Sequence, residues 1–349
     1  MRLFKFFSLL PAFFCIFFAL PAISSAHEAY VLDHQFFWSQ LHQPVSWDAV
    51  HALNNPANLH LTLIIVGSVI ALLIVNFFFR RSHMGIVAHA WLERWAFLGP
   101  LFIRAAIASA FFLSALSWSF LGPELPLTQM PFAVVLRILL FIASICIALG
   151  FFTEIAAGIA LIIFCIGYFV FGAYLTTYLN YLGEIIVLTL FGMRQWSLDG
   201  LLFGESKHFA SLRPYDSTIV RVCYGIALMF AAVTVKFLHP ALTVQVVNQW
   251  HLTQFHWLFP SDPLLITLGA GLAELAIGFF IVIGFEMRLT VLISLFYITL
   301  SLMYFHELVW PHLMLYGISL NILVQPERFT LDALLFNRQR KKKQIAVPL

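Results

Sequence analysis

Hydrophobic positions in this chain come in long unbroken runs rather than in the alternation of a half-buried strand. Residues 61–79, 100–121, 131–152, 155–173, 176–193, 217–239, 263–285, 288–305 and 308–325 each supply roughly the 20 apolar residues that cross about 30 Å of hydrocarbon. In lipid the backbone must satisfy its own hydrogen bonds, as a helix or a closed barrel, and continuous runs select the helix. The polar positions fall between the runs, mostly in short connections. The pattern predicts nine spanning helices in an all-α polytopic membrane protein.

Composition agrees. The 349 residues are 62% hydrophobic and 10% charged, against about a quarter charged in soluble domains. So few charges cannot cover a water-facing surface, so the lipid bilayer is the expected partner. No long basic soluble patch exists, which excludes nucleic acid. Residues 1–26 have the form of a secretory signal: Arg2 and Lys5, then the apolar stretch 9–20, then Ser24-Ser25-Ala26. An uncleaved first helix is the other reading. Both put residue 27 outside.

The charges then set the orientation. With residues 27–60 outside and the nine spans alternating, no Lys or Arg falls in an external loop. Arg80, Arg81, Arg94, Arg194, Lys207, Arg213, Arg288, Arg328 and the basic tail 337–349 all fall inside, as the positive-inside rule requires. The expected location is a bacterial-type inner membrane, with the mature N-terminus outside and the C-terminus cytoplasmic.

An octapeptide recurs. WSLDGLLF at 196–203 and FTLDALLF at 329–336 each follow the last of four apolar runs. IRAAI at 103–107 aligns with VRVCY at 220–224, and GFFTEIA at 150–156 with GFEMRLT at 284–290. The chain thus divides into a signal (1–26), an external His-rich segment (27–60), one helix with a linker (61–99), a four-helix unit (100–203), a linker (204–216), a second unit (217–336) and the tail. Four crossings per unit is an even number, so the repeats are parallel. Ser197 and Thr330 are expected N-caps, and Asp199 and Asp332 are expected to act structurally in the first turn of a short interfacial helix.

The second unit resembles the DoxX-like family of small four-helix membrane proteins. VRVCYGIALMFAAVTVKFLHP carries an early Arg, a mid-helix Gly and a late Lys-Phe. GLAELAIGFFIVIGFEMRLT carries a Glu, a Gly-rich run and a Gly-Phe-x-x-Arg turn. R-F-T-L-D-A-L-L resembles the family's closing segment. The match covers about 120 residues. The first unit is a weaker copy that keeps Arg104, Gly150 and RQWSLDGLL but has Leu140 opposite Glu274 and Ser119 opposite Lys236. The resemblance implies a four-helix fold and a link to respiratory or sulfur redox chemistry, including a quinone-linked thiosulfate oxidoreductase subunit. A respiratory or redox membrane subunit is the implied partner, and quinone the implied ligand.

Ionisable groups within spans need a partner or a function. Lys236 and Glu274 lie on successive antiparallel helices and are expected to meet, and the pair matches the family. Arg137 and Glu184 lie at similar depths and can also pair. Each pair reads either as a structural ion pair or as a ligand or proton site. Arg104 and Arg221 are expected to snorkel. Outside, His239, His251, His256, His306 and His312, with Glu307, Trp250, Trp257 and Trp310, suit a quinone head group, a proton relay or a metal, although a plain interfacial belt has the same composition. At the N-terminus, His27 after cleavage and His34 are candidate metal ligands.

No phosphate loop, Ser-His-Asp spacing or HExxH occurs. Cys146, Cys165 and Cys223 stand alone, which argues against a dithiol site. The functions left open are a redox-associated component that binds a lipophilic ligand, a small-solute or metal transporter, and a non-catalytic assembly scaffold.

Overall fold

The computed structural model describes residues 31–192, 196–204, 209–255, 259–306, 308–326 and 328–336. The signal, His27, His256, Trp257, Glu307 and the basic tail lie outside the described residues. The chain is an all-α polytopic membrane protein. Its helices are α1 (His34–Leu41), α2 (Asp48–His51), α3 (Pro56–Arg81), α4 (His83–Glu93), α5 (Gly99–Ser117), α6 (Ala133–Leu149), α7 (Thr153–Phe171), α8 (Leu179–Phe191), α9 (Leu198–Leu202), α10 (Asp216–Ala231), α11 (Pro240–Gln249), α12 (Pro263–Ile283), α13 (Met287–Tyr304) and α14 (Val309–Val324). A small antiparallel hairpin, β1 (Ser119–Phe120) and β2 (Gly122–Pro126), follows α5.

Each of the nine expected spans coincides with a helix. Six helical stretches are long and apolar enough to cross a membrane: Pro56–Arg81, His83–Ser117, Thr153–Phe191, Ser211–Leu238, Pro263–Ile283 and Met287–Tyr304. Ala133–Leu149 and Val309–Val324 are apolar but shorter. Thr153–Phe191 is not one rod, because α7 and α8 fold back and pack on each other. The break is Gly172, at φ +61 and ψ −150, a backbone state open to glycine, followed by a 3-10 segment over Gly172–Tyr178. α8 has 13 residues, about 20 Å at 1.5 Å each, so the 3-10 segment supplies part of its depth.

The helices form a closed circuit. α5, α6, α7 and α8 pack in sequence, as do α12, α13 and α14 after α10 meets α12. The joins are reciprocal: α8 packs on α10, and α14 packs on α5. Small residues bring these helices close. A Cβ built on Gly225 of α10 would stand 2.5 Å from the Gly278 carbonyl oxygen of α12, and one on Gly278 would stand 2.6 Å from the Gly225 carbonyl oxygen. Gly183 of α8 meets Cys223 of α10, and Gly317 of α14 meets Ala106 of α5. Lipid gives helices little hydrophobic reason to associate, so such close backbone approach supplies the packing energy.

The repeated octapeptides close this circuit at one end, termed here the octapeptide end; the end that carries β1 and β2 is the hairpin end. Both copies make the same bonds. Ser197 Oγ accepts from Gly200 N at 2.9 Å, and Thr330 Oγ1 from Ala333 N at 2.9 Å, as expected of N-caps. The aspartates reach further than the sequence suggested. Asp199 accepts from Phe152 N and Thr153 N, each at 2.9 Å, and so caps α7. Asp332 accepts from Glu286 N and Met287 N, each at 2.9 Å, and so caps α13. The intervening turns match too. Gly150 and Gly284 have φ +64 and +66, Phe152 and Glu286 +49 and +45, and Trp196 and Phe329 +55 and +50.

Arg104 and Arg221 correct the snorkelling expectation. They are 1% and 3% exposed. Arg104 Nη2 donates to Trp196 O at 2.9 Å. Arg221 donates to Ile281 O at 2.6 Å, Val282 O at 2.5 Å and Phe329 O at 3.0 Å. Each guanidinium satisfies carbonyls that a helix end and the octapeptide would otherwise leave bare.

α3 is attached differently. From Leu63 to Leu72 every residue is exposed, and polar contacts hold its two ends. Asn58 Nδ2 donates to Asp262 Oδ2 at 2.7 Å. At the octapeptide end Arg80 Nη1 lies 2.6 Å from Asp332 Oδ2 and 3.5 Å from Glu286 Oε2, which also accepts from Asn76. The linker expected at 82–99 is largely the helix α4, which is pinned by Arg288 Nη2 to Glu93 Oε1 at 3.1 Å.

Candidate functional site

The Lys236–Glu274 pair forms. Lys236 Nζ lies 3.1 Å from Glu274 Oε1, with the lysine side chain 4% exposed and the glutamate 14%. Local geometry positions the lysine. The last turns of α10 widen into a π-helix over Ala232–Leu238, a form that shifts the register of the residues after it and recurs at functional sites. Gly271 of α12 lets that wide turn approach: a Cβ there would stand 3.1 Å from Lys236 Cβ and 3.0 Å from the Phe237 ring. Deeper in the same interior, the Tyr224 hydroxyl lies 3.0 Å from Ser294 Oγ and 3.4 Å from Ser319 Oγ.

The N-terminal segment covers the site's hairpin end. Ser46 N donates to Leu238 O at 2.9 Å, and Ala49 and Ala52 pack with Phe237, Leu265 and Leu268. The flank of α12 is open by contrast: Ala273 and Ala276, on either side of Glu274, are exposed. An ammonium and a carboxylate, buried on one side and open laterally, can together bind a neutral molecule that carries carbonyl or hydroxyl groups.

Arg137 and Glu184 do not pair. Arg137 Nε donates to Ala115 O at 2.6 Å, and its guanidinium lies 4.0 Å from the centre of the Trp118 ring. Glu184 is fully buried on α8, and neither carboxyl oxygen has a hydrogen-bond partner among the described residues. Equal depth did not suffice, because α6 carries Arg137 on a face turned toward the end of α5 and not toward α8.

Among the described residues the outer histidines form no cluster. His306 is exposed at φ +54, 6.1 Å from the Trp250 ring centre, and among the described residues no hydrogen bond or ion pair joins it to Lys236 or Glu274. His312 is buried with Nδ1 2.9 Å from Leu308 O. His34 Nε2 lies 3.2 Å from Glu124 O and 3.1 Å from Trp38 Nε1. Among the described residues no group of three or more His, Cys, Asp or Glu is placed to hold a metal ion.

The sequence reading missed Glu124. This residue of β2 is 2% exposed. Its Oε1 accepts from Tyr174 Oη at 3.1 Å and from Tyr178 Oη, while Oε2 has no partner among the described residues. Burial pushes its carboxyl up to about 7, against the downward pull of the Tyr178 bond, the backbone and the Tyr174 bond. α1 lies over it, with Phe37 and Trp38 edge-on to Tyr174 at 5.7 and 5.2 Å. The signal in the sequence was a row of tyrosines at 174, 178 and 181, a helical spacing with no apolar reason for three hydroxyls. Comparison with protein-family models, curated proteins and solved structures finds no match.

Proposed function

We propose that this membrane protein binds a lipophilic small molecule, a quinone in our reading, against Lys236 and Glu274, as a component associated with membrane redox chemistry. One observation carries the reading: the ion pair sits inside the bundle with its carboxylate partly open on a lateral flank of α12. A purely structural pair gains nothing from an open flank, whereas a ligand arriving from the bilayer needs one. The Lys236 ammonium is a donor for a quinone carbonyl. The resemblance of this half to DoxX-like proteins supports the same ligand class. We further read residues 100–203 and 217–336 as two repeats of one unit. The octapeptide end is cytoplasmic in this reading, since the Lys and Arg residues outside the spans gather there.

Native mass spectrometry of the protein released gently from its own membrane tests the ligand. A bound quinone, or a redox subunit that carries one, is the expected result. Glu274→Gln keeps the shape of the side chain but removes the charge that orients Lys236. It should weaken quinone binding by about tenfold or more, about 1.4 kcal/mol, with the cooperative unfolding transition retained. Undiminished quinone binding in a folded Glu274→Gln variant removes the site assignment.

A further inference from the structure

Four buried side-chain oxygens without hydrogen-bond partners among the described residues lie in one part of the first half of the chain. Both carboxyl oxygens of Glu184, Oε2 of Glu124 and the Ser114 hydroxyl are buried with no hydrogen-bond partner among the described residues. All three residues border the column of Tyr181. Glu184 lies one turn after Tyr181 on α8. The Tyr181 ring stacks on Phe111 at 6.4 Å, one turn from Ser114 on α5. Tyr178 precedes it with ring centres 5.8 Å apart and donates to Glu124. The rings of Tyr174, Tyr178 and Tyr181 follow one another with centres 6.5 and 5.8 Å apart, and Glu184 comes next on α8. This row runs from the hairpin end into the bundle interior, where Tyr181 is 1% and Glu184 0% exposed.

An ionised carboxylate in such a place costs several kcal/mol unless it is paired. Neither Glu184 nor Glu124 makes an ion pair among the described residues. Buried polar atoms without protein partners are where ordered water resides. Acids, hydroxyls and water in a line, ending on a deeply buried carboxyl, are what proton movement within a membrane protein requires.

We propose that Glu184 is a proton-binding site, reached from the hairpin end through Glu124, Tyr178 and Tyr181 with water between them. Each tyrosine hydroxyl accepts one proton and releases its own, so one proton moves and no tyrosine changes charge. Other titratable groups face the path from the neighbouring elements. Tyr174 shares Glu124 Oε1. Cys223 of α10 lies against Gly183, and His312 of α14 follows Pro311, whose carbonyl oxygen is 3.5 Å from Tyr181 Oη. His34 of α1 reaches the Glu124 carbonyl oxygen. The site is independent of Lys236 and Glu274.

Infrared difference spectroscopy tests this on the full chain in lipid nanodiscs. In wild type, a protonated-carboxyl stretching band should shift on transfer to deuterated buffer, and Glu184→Gln should abolish that band. Tyr181→Phe keeps the ring and removes only the hydroxyl. It should slow the band's deuterium exchange by about tenfold or more, a barrier increase of about 1.4 kcal/mol. Tyr316→Phe, in the other half, where the hydroxyl meets Thr299 Oγ1 at 2.7 Å, should leave the exchange rate unchanged. The proposal is overturned if wild type shows no such band, if the band survives in Glu184→Gln, or if it exchanges at the wild-type rate in both Tyr178→Phe and Tyr181→Phe. Should Glu184→Gln fail to fold, the two tyrosine variants decide.

Discussion

Two aspartates in the same repeated peptide do the same work in different company. Asp199 and Asp332 each take two backbone N–H groups at the start of the third helix of their own half; Asp199 also accepts from the Thr153 hydroxyl at 3.1 Å, while Arg80 leans on Asp332. Asp199→Ala should therefore lose charge-assisted bonds worth about 1.5–3 kcal/mol each. Asp332→Ala should cost more, because on top of its own two lost bonds it leaves Arg80 buried without its nearest carboxylate, in itself a loss of about 3–5 kcal/mol. Unfolding both variants in the same detergent ranks them, and an equal loss would discount the Arg80 contact. Glu124 gives a residue-scale pH effect. Its carboxyl sits at about 7 against an ordinary 4.5. Between those values the folded chain holds a proton that the unfolded chain has lost, so this contribution to stability fades as pH rises through the window and is absent above it. Melting temperatures of wild type and Glu124→Gln should differ in slope across that window and run parallel at higher pH. Parallel curves throughout would show that Glu124 titrates normally.

At the scale of helices, sequence and structure agree where the physics is local and part where it depends on rotation. Length and polarity locate every spanning helix, and the Ser/Thr positions of the octapeptide identify its caps. What the pattern lacks is azimuth. Arg137 and Glu184 share a depth but not a facing direction, and Asp199 caps a helix some 46 residues away. A Gly-Pro-Glu-Leu-Pro stretch reads as a turn, so Glu124 stayed hidden until the tyrosines between α7 and α8 folded over it. Close packing between helices can be tested with small substitutions. Gly225→Ala must push α10 and α12 apart and should destabilise by about 1–3 kcal/mol. Gly67→Ala, with nothing within 4 Å of the new Cβ, should be neutral or should stabilise α3 by up to about 1 kcal/mol. Thermal unfolding of the two variants side by side checks the contrast, and equal losses would contradict the packing described for α10 and α12.

Across the whole molecule, two helix interfaces and the 204–216 connection join the halves, and the N-terminal segment lies across both. The interfaces, α8 with α10 and α5 with α14, do not depend on the chain being continuous between them. A protease site introduced in the 204–216 connection and then cut should leave both fragments co-purifying in mild detergent. Separation of the fragments would mean that the connection, rather than the packing, holds the halves together. The extra helix α3 makes the opposite arrangement, clasped at both ends and bare between them.

In both interfaces the first helix of one half meets the last helix of the other. A lone four-helix chain bearing both surfaces would be self-complementary and would close as a two-fold homodimer. Fusing two such copies keeps the assembly while releasing each copy from identity with its twin. Here one half carries the Lys236–Glu274 pair and the other the Glu184 column, an asymmetry closed to a true homodimer, in which every substitution appears twice.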